Sequence, residues 1–278
     1  MTQGIVALDI DGTVLSRNQN PSVPLIATLT LMEKEGWKIL FATGRTLSWS
    51  LHHLAKLPFP FFLAAFNGAA LFSYPEGKKI HSSSLLKKDI LGLAPYIDRF
   101  GVVAYEMLGE ERAFVNRQGC SLFLQEHLLK RKTLQEERWV EFSSVQEIPS
   151  IEYASARFFV MKGEETFLQQ AIEQNFGLTA LIMKDSFSDD VKIVQVTASG
   201  VSKGASFRYL CKKYTPLLGT IAAGDDTNDI DLLEAADIGI AVGDAPQSLR
   251  KIAYSTAASP DVLHLVLRQA KNILQKRA

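Results

Sequence analysis

Apolar residues at both ends of the chain alternate between short continuous runs and runs with helical spacing. Residues 5–10 are apolar except for Asp9, and residues 25–36 carry apolar side chains at helical spacing. Residues 38–42 are apolar again except for Lys38. The same alternation predicts further helices over 47–57, 205–214, 229–235 and 261–276, and further strands over 61–66, 219–223 and 237–242. Alternating strands and helices are typical of a parallel sheet with helices on both faces.

The middle of the chain has a different pattern, in which strand signals occur in pairs between helices. Strands are predicted over 102–106, 113–116, 157–162, 179–183 and 192–196, and helices over 86–100, 122–132 and 164–175. Paired strands between helices indicate an antiparallel α+β domain. We therefore predict an α/β fold, a doubly wound parallel-sheet core of residues 1–80 and 198–278, interrupted by an inserted α+β cap of residues 81–197.

Composition limits the classes of partner. Apolar residues make up 47% of the chain and charged residues 22%, which suits a folded protein. Thirty basic and thirty acidic side chains give a net charge of zero, so no single-sign field is available to attract nucleic acid or an anionic membrane. We expect a small-molecule ligand, no nucleic-acid or membrane partner, and a monomer or homodimer.

Other sequence features favour a cytoplasmic protein. The first residues lack the basic and apolar segments of a signal peptide. The longest apolar stretch, residues 59–72, is shorter than the ~20 residues that span a bilayer and is interrupted by Pro60 and Asn67. Cys120 and Cys211 lack the CxxC spacing of a zinc or redox site, so reduced thiols are expected.

Two carboxylates lie at the end of the first predicted strand. Asp9 and Asp11 belong to the segment Asp-Ile-Asp-Gly-Thr, and ligands of open parallel sheets bind beside the carboxyl ends of the strands. Gly12 permits a sharp turn that could direct both carboxylates to one ligand. Taken alone, the segment is also consistent with an ordinary turn. An EF-hand is excluded, because Gly12 stands too early and Asn20 occupies the position that requires an acidic residue.

Two further segments place polar groups near strand or helix ends. Thr43, Gly44 and Arg45 follow the second predicted strand and deliver a hydroxyl and a guanidinium, although a helix cap is an alternative interpretation. Lys203 precedes a predicted helix in the order Lys-Gly, which is wrong for a P-loop. Taken alone, this lysine could simply be solvated.

A third segment concentrates negative charge. Residues 224–229 read Gly-Asp-Asp-Thr-Asn-Asp and contain three carboxylates, those of Asp225, Asp226 and Asp229. Helix capping explains one or two of them. Mutual repulsion among all three is easier to understand with a bound cation.

Together these segments resemble the motifs of the haloacid dehalogenase superfamily, in order and in placement at strand ends. The resemblance is closer to the Cof-type subfamily, which also has Ala-Thr-Gly-Arg (42–45), Asn-Gly-Ala (67–69), Ser-Lys-Gly (202–204) and Gly-Asp-x-x-Asn-Asp (224–229). It covers the core, whereas the cap matches only in length and element order. Residues 258–262, Ala-Ser-Pro-Asp-Val, replace the Asn-x-x-x-Gly-Val usual in Cof proteins, so the substrate subgroup stays open.

The resemblance implies a Mg²⁺-dependent phosphatase that forms a phospho-aspartate on Asp9 and hydrolyses a small phosphorylated metabolite, such as a sugar phosphate. Asp11 is implied as the acid and base, and Thr43 and Lys203 as phosphate-binding groups. The implied metal site comprises Asp9, Asp11, Asp225, Asn228 and Asp229, and the implied substrate-binding residues are Gly44, Arg45 and Asn67.

Two other functions are compatible with the same residues. A phosphotransferase or phosphomutase would pass the phosphoryl group to the hydroxyl of a second substrate. A receiver-type or phosphosugar-binding protein would bind its ligand without catalysing a reaction. Asp11 argues against a receiver, which has no leaving alkoxide to protonate. In the cap, Glu106, Arg112, Arg157 and Lys184 are candidate hydroxyl or anion binders, but we expect each of them to belong to the solvated surface.

Overall fold

In the computed structural model, which describes residues 1–15, 20–107, 112–135 and 138–277, the chain divides into two units. The core unit consists of Met1–Ser82 and Ser202–Ala278, and the insert unit consists of Ser83–Val201. Each unit has its own sheet, with apolar clusters on both faces of the core sheet and a separate cluster in the insert unit. Among the described residues, none of the helices combines the length and the apolarity that a bilayer crossing requires.

The first segment of the core unit contributes five strands and two helices. These elements are β1 (Gly4–Asp9), α1 (Val23–Lys34), β2 (Trp37–Ala42), α2 (Leu47–Leu54), β3 (Phe61–Ala65), β4 (Ala70–Tyr74) and β5 (Lys78–Ser82). Side chains alternate in direction along a strand. In β1, Ile5 and Ala7 pack into one apolar cluster and Val6 and Leu8 into another, which is the pattern of a strand covered on both faces.

The described residues of the insert unit form a six-stranded sheet and four α-helices. Its elements are α3 (Lys87–Gly92), α4 (Ala94–Phe100), β6 (Val102–Glu106), β7 (Arg112–Asn116), α5 (Leu122–Gln135), β8 (Arg138–Glu141), β9 (Tyr153–Met161), α6 (Glu165–Phe176), β10 (Thr179–Lys184) and β11 (Val191–Thr197). The strand order is β10-β11-β9-β6-β7-β8, and β7 and β8 are the one parallel pair among the described strands of this sheet.

The second segment of the core unit completes its sheet. Its elements are α7 (Lys203–Tyr214), β12 (Gly219–Gly224), α8 (Ile230–Glu234), β13 (Ile238–Val242), α9 (Gln247–Ile252), β14 (Ser255–Ala257) and α10 (Leu263–Arg277). The strand order is β14-β13-β12-β1-β2-β3-β4-β5, in which β14 through β3 run parallel. The predicted fold class, a doubly wound parallel sheet with an α+β insertion, is confirmed.

Strands β4 and β5 extend this sheet in antiparallel orientation and were not predicted. The apolar stretch of residues 59–72 contains both β3 and most of β4. Its continuous apolar pattern therefore indicates one strand rather than two. The chain reverses at Asn67 and Gly68, whose φ angles are 55° and 100°. Asparagine and glycine are the residues that tolerate this left-handed conformation best.

A buried ion pair joins α5 to the segment after β10 in the insert unit. The Nη1 atom of Arg131 donates to Oδ2 of Asp185 at 2.7 Å, and both side chains are almost inaccessible to solvent. Oδ1 of Asp185 also accepts hydrogen bonds from the backbone amides of Phe187 and Ser188. The Arg131 guanidinium lies over the rings of Phe159 and Phe187. This arrangement fixes α5 against β9 and the β10–β11 connection.

We expect Asp185→Ala to lower the free energy of unfolding by about 3–5 kcal/mol, because it leaves the Arg131 charge buried without this carboxylate. Urea unfolding followed by circular dichroism measures the loss. The matched control is Glu164→Ala, which removes the exposed ion pair with Arg99 and should cost less than about 1 kcal/mol. Equal losses in the two variants would contradict a structural role for the buried pair.

Candidate active site

The candidate site lies at the carboxyl ends of three neighbouring parallel strands of the core unit. Strand β1 pairs with β12 on one side and with β2 on the other, so their ends lie side by side. Asp9 ends β1, Thr43 follows β2, and Asp225 follows β12. The topology alone therefore brings residues from distant parts of the sequence to one edge of the sheet.

The two carboxylate oxygens of Asp9 have different environments. Oδ1 accepts a hydrogen bond of 2.6 Å from Nζ of Lys203. Oδ2 is buried and has no hydrogen-bond partner among the described residues. Burial raises the pKa of Asp9 well above its ordinary value, and the charges of Asp229 and Asp225 raise it further, while Lys203 opposes this. The site thus holds more negative charge than one lysine compensates.

Lys203 is the first residue of α7 and is 2% exposed. The helix starts there because the Ser202 hydroxyl accepts a hydrogen bond from the Ala205 amide, which is a standard N-cap. Nζ donates to Oδ1 of Asp9 and to Oδ1 of Asp229, each at 2.6 Å. Burial alone would lower the pKa of Lys203, but the carboxylates of Asp229 and Asp9 raise it above its usual value. The lysine is therefore charged, and it is not solvated.

Asp229 organises the loop after β12. Its Oδ2 accepts hydrogen bonds from the backbone amides of Asp225 at 3.0 Å and Asp226 at 3.1 Å, and its Oδ1 binds Lys203. A Cβ atom on Gly224 would lie 2.4 Å from Cβ of Asp229, so this close approach requires glycine. Both oxygens of Asp229 have protein donors, which makes this carboxylate a support for the loop and for the lysine.

The acidic cluster can hold a divalent cation. Asp9, Asp225 and Asp229 each offer an oxygen, and these oxygens lie within 4.8 Å of one another. Burial, followed by the Asp229 charge, raises the pKa of Asp225 to about 7. Gly12, with φ of 81°, allows Asp225 to approach, because a Cβ there would lie 2.1 Å from Oδ2 of Asp225. These three carboxylates offer only oxygen ligands, and Oδ2 of Asp9 has no hydrogen-bond partner among the described residues. Such a set of ligands fits Mg²⁺.

Asp11 is paired with Arg45 rather than placed in the acidic cluster. Nε of Arg45 donates to Oδ2 of Asp11 and Nη2 donates to Oδ1, both at 3.0 Å, so the pairing is bidentate. The Arg45 guanidinium also lies over the ring of Trp49, with 4.6 Å to the centroid. The sequence analysis assigned no role to Trp49. The signal for this contact was the spacing of four residues between Arg45 and Trp49 where a helix begins, because side chains four apart lie on one face of a helix.

The remaining predicted residues connect the loops around the site. The Thr43 hydroxyl accepts a hydrogen bond from the Arg45 amide, and the Thr43 carbonyl accepts one from the Asn67 amide. Oδ1 of Asn67 accepts a hydrogen bond of 3.1 Å from Nδ2 of Asn228. Gly44 is half-buried between Thr43 and Arg45. The loops after β2, β3 and β12 are therefore hydrogen-bonded to one another.

One sequence expectation for the insert unit is wrong. Arg157 was expected to be solvated, but it is 3% exposed. It lies on β9, and its guanidinium stands 4.6 Å from the centroid of the Tyr105 ring.

Comparisons with known proteins agree with the fold. Residues 6–264 match the family described as haloacid dehalogenase-like hydrolase. A phosphatase of Bacillus subtilis strain 168, YwpJ, is 23% identical over 289 aligned residues, covering 97% of this chain and 99% of its own. The pyridoxal phosphate phosphatase YbhA of Escherichia coli K12 is 26% identical, covering 90% of this chain and 91% of its own.

A solved structure has the same fold. The phosphatase BT1666 from Bacteroides thetaiotaomicron superposes with a TM-score of 0.75 at 26% identity, covering 96% of this chain and 95% of its own. The chain belongs to the haloacid dehalogenase-like hydrolases, as a member of their Cof-type subfamily. Its enzyme class is that of a phosphoric monoester hydrolase.

Proposed function

We propose that this enzyme uses Mg²⁺ to hydrolyse the phosphate ester of a small metabolite through a phospho-aspartate on Asp9. The observation that carries the proposal is the difference between the two oxygens of this carboxylate. Lys203 holds Oδ1, whereas Oδ2 is buried and has no hydrogen-bond partner among the described residues. A carboxylate with one oxygen fixed and the other unbonded is oriented for nucleophilic attack.

The reaction takes place in two steps. Oδ2 of Asp9 attacks the phosphorus atom, the bond from phosphorus to the ester oxygen breaks, and protonated Asp11 gives its proton to that leaving oxygen. Asp11, now a carboxylate, takes a proton from water as the water oxygen attacks phosphorus. Inorganic phosphate leaves, Asp9 is regenerated, and Asp11 is protonated again. General acid and base catalysis of this kind contributes about 10²–10⁴ in rate.

Lys203 and Thr43 support both steps from opposite sides. The Lys203 ammonium favours the ionised form of Asp9, which attack requires, and its charge also attracts phosphate oxygens. The buried Thr43 hydroxyl follows the neighbouring strand and supplies a second polar group for the phosphate. Asp229 holds Lys203 in place through its Oδ1.

Mg²⁺ would be held by the Asp9 carboxylate, the Asp11 main-chain carbonyl and Asp225, with Asp229 and Asn228 as nearby supporting groups. When bound, the cation neutralises negative charge on the phosphate and on the acidic cluster. The excess of carboxylates over lysine in the cluster supports this assignment.

Each unit has a separate role in the proposal. Residues 1–80 and 198–278 supply all the residues assigned to chemistry, so they form the catalytic core. Residues 81–197 are assigned to substrate selection, with Gly44, Arg45 and Asn67 of the core as further substrate-facing candidates. Similarity to a pyridoxal phosphate phosphatase supports a small phosphorylated metabolite as the substrate class.

A phosphate-release screen over phosphorylated metabolites with Mg²⁺ tests the proposed function. We expect inorganic phosphate to form steadily from several small esters with water as the only acceptor. Product appearing only when a second sugar hydroxyl is present would instead identify a phosphotransferase. Tight binding of an ester without turnover would identify a binding protein.

Arg45→Ala should lower kcat about 10- to 100-fold and change KM little, because the bidentate pair orients Asp11 and charged hydrogen bonds are individually strong. Steady-state kinetics with p-nitrophenyl phosphate separates the two constants. Arg45→Lys keeps the charge but not the planar fork, so we expect only partial recovery. A rise in KM at unchanged kcat would show that Arg45 contacts the substrate and does not position Asp11.

A further inference from the structure

An aromatic ring covers the arginine that holds Asp11. Arg45 lies just before helix α2, and Trp49 is the third residue of that helix. The Arg45 guanidinium lies over the indole ring, 4.6 Å from its centroid. Tryptophan is the side chain that attracts a cation most strongly in this arrangement. Trp49 therefore contacts the group that orients the acid and base, although it takes no direct part in either reaction step.

One guanidinium can make both contacts at the same time. Its N–H groups lie in the plane of the group, where Nε and Nη2 of Arg45 donate to the two oxygens of Asp11, each at 3.0 Å. Its flat faces carry no N–H group and stack on aromatic rings. The contact with Trp49 thus restricts tilting of the guanidinium and does not compete with Asp11 for hydrogen bonds.

The ion pair by itself is a weak restraint on Asp11. The side chain of Asp11 is 42% exposed and that of Arg45 is 24% exposed. Water screens a pair with this exposure, and holding two flexible side chains in one geometry costs conformational entropy. A further contact that restricts Arg45 before the substrate binds therefore improves the geometry of the acid and base.

Trp49 is itself anchored within the core unit. Its partly buried side chain packs against the apolar cluster on one face of the core sheet. The amide and the hydroxyl of Ser50 both donate to the Thr46 carbonyl, at 3.2 Å and 2.8 Å, and close the first turn of α2. The ring of His53 lies one turn further along α2, with 4.6 Å between its centroid and that of the indole. All of these residues belong to the core unit.

His53 supports the indole as a neutral group. Its Nδ1 atom is inaccessible to solvent and has no hydrogen-bond partner among the described residues, so packing holds the ring. Burial lowers the pKa of His53 below its ordinary value, and His52 lowers it further, while the Asp11 charge opposes this. A neutral imidazole packs against Trp49 without placing a second positive charge near Arg45.

We propose that Trp49 is a positioning residue for Asp11, acting through Arg45, and that His53 holds the indole in place. This inference rests on the proposed phosphatase function and adds residues to it. Its consequence concerns the delivery of the proton to the leaving oxygen. A basic leaving group such as phenolate needs the Asp11 proton as the ester bond breaks, whereas p-nitrophenolate is a weaker base and depends on it less.

The variant Trp49→Leu removes the aromatic face and keeps an apolar side chain on the core cluster. The constant kcat/KM covers the reaction up to cleavage of the ester bond, the step in which Asp11 donates its proton. With phenyl phosphate, kcat/KM should fall about 3- to 30-fold, within the strength of one cation–π contact. With p-nitrophenyl phosphate, the fall should stay below about 3-fold. Trp49→Phe keeps an aromatic face and should recover most of the loss.

A double-mutant cycle tests whether Trp49 acts through Arg45. In an Arg45→Ala background, Trp49→Leu should cause no further loss with phenyl phosphate, because the group that it restrains is absent. Additive losses would mean that Trp49 acts by another route and would overturn the inference. The matched control is Tyr254→Leu, which removes an exposed ring that Arg277 covers at 5.6 Å in the same unit. This control should keep the wild-type constants for both esters.

His53→Ala tests the support of the indole and leaves Trp49 in place. It should lower kcat/KM for phenyl phosphate by at most about 10-fold, and less for p-nitrophenyl phosphate, since one aromatic contact is lost. His53→Phe, which retains a ring, should recover the rate. This pair of variants decides the question even where Trp49→Leu fails to fold. Equal rates in His53→Ala and the wild type would remove His53 from the proposal.

The outcomes separate this inference from the function on which it rests. Equal losses on the two esters in Trp49→Leu would overturn the inference, and together with a lower melting temperature they would assign the ring a structural role. Wild-type constants in Trp49→Leu, or no recovery in Trp49→Phe, would overturn it as well. Absence of phosphate release by the wild-type enzyme from these two esters and from all the metabolites of the screen would refute the proposed function itself.

Discussion

Asp9→Asn is expected to lower phosphatase activity to less than about 1% of the wild-type rate, because an amide is a far poorer nucleophile and metal ligand than a carboxylate. The fold should survive the change. Asparagine keeps the shape of aspartate and an oxygen that can accept the hydrogen bond from Lys203, so the neutral side chain is tolerated. Phosphate release and thermal unfolding, measured on the same preparation, check both parts.

The matched control for this variant is Asp244→Asn, which neutralises an exposed carboxylate of the core unit. It should retain the full rate. Asp9→Asn activity well above about 1% of wild type would rule out Asp9 as the nucleophile. A large drop in the melting temperature would show instead that the carboxylate is needed for the fold, through its contact with Lys203.

Removal of divalent cations is expected to abolish turnover, and added Mg²⁺ should restore it. Among the described residues, Lys203 is the one lysine that pairs with the cluster of Asp9, Asp225 and Asp229, so phosphate binding requires further positive charge. Excess Ca²⁺ should inhibit, since its 6–8 flexible ligands can include both Asp9 oxygens and block attack. Assays after EDTA treatment, followed by titration with each cation, give the comparison.

A second measurement detects the cation without turnover. Ligands that bind only the folded state raise the melting temperature, so Mg²⁺ should stabilise the wild-type protein. Asp225→Asn should show a smaller stabilisation at the same Mg²⁺ concentration. Full activity in EDTA would be inconsistent with a metal at this cluster. A melting temperature that does not change with added Mg²⁺ would be inconsistent with it as well.

The sequence predicts the core elements well where apolar periodicity is strong. β1, β2, β12 and β13 are largely apolar runs followed by loops with polar residues, so both the strands and the edge that carries the site follow from the pattern. The short elements β8, α9 and β14 were missed. They have four, six and three residues, which is too few for a period to show.

The side-chain partners were harder to predict than the backbone. Lys203 and Asp9 are 194 positions apart, and no local pattern indicates that they form a hydrogen bond. For Arg157 the strand was predicted correctly, but its burial was not. Alternation correctly separates the two faces of β9, but it cannot show that the polar face is also buried.

The central place of β1 in the core sheet has a consequence for how the protein is made. Strand β1 pairs with both β2 and β12, and the second of these lies beyond the whole insert unit. At about 5–20 residues per second, a ribosome needs roughly 11 to 43 s between Asp9 and Gly224, the end of β12. During that interval one hydrogen-bonding edge of β1 lacks its partner, and exposed strand edges promote aggregation. A nascent chain halted before β12 would therefore be a ready client for a holding chaperone.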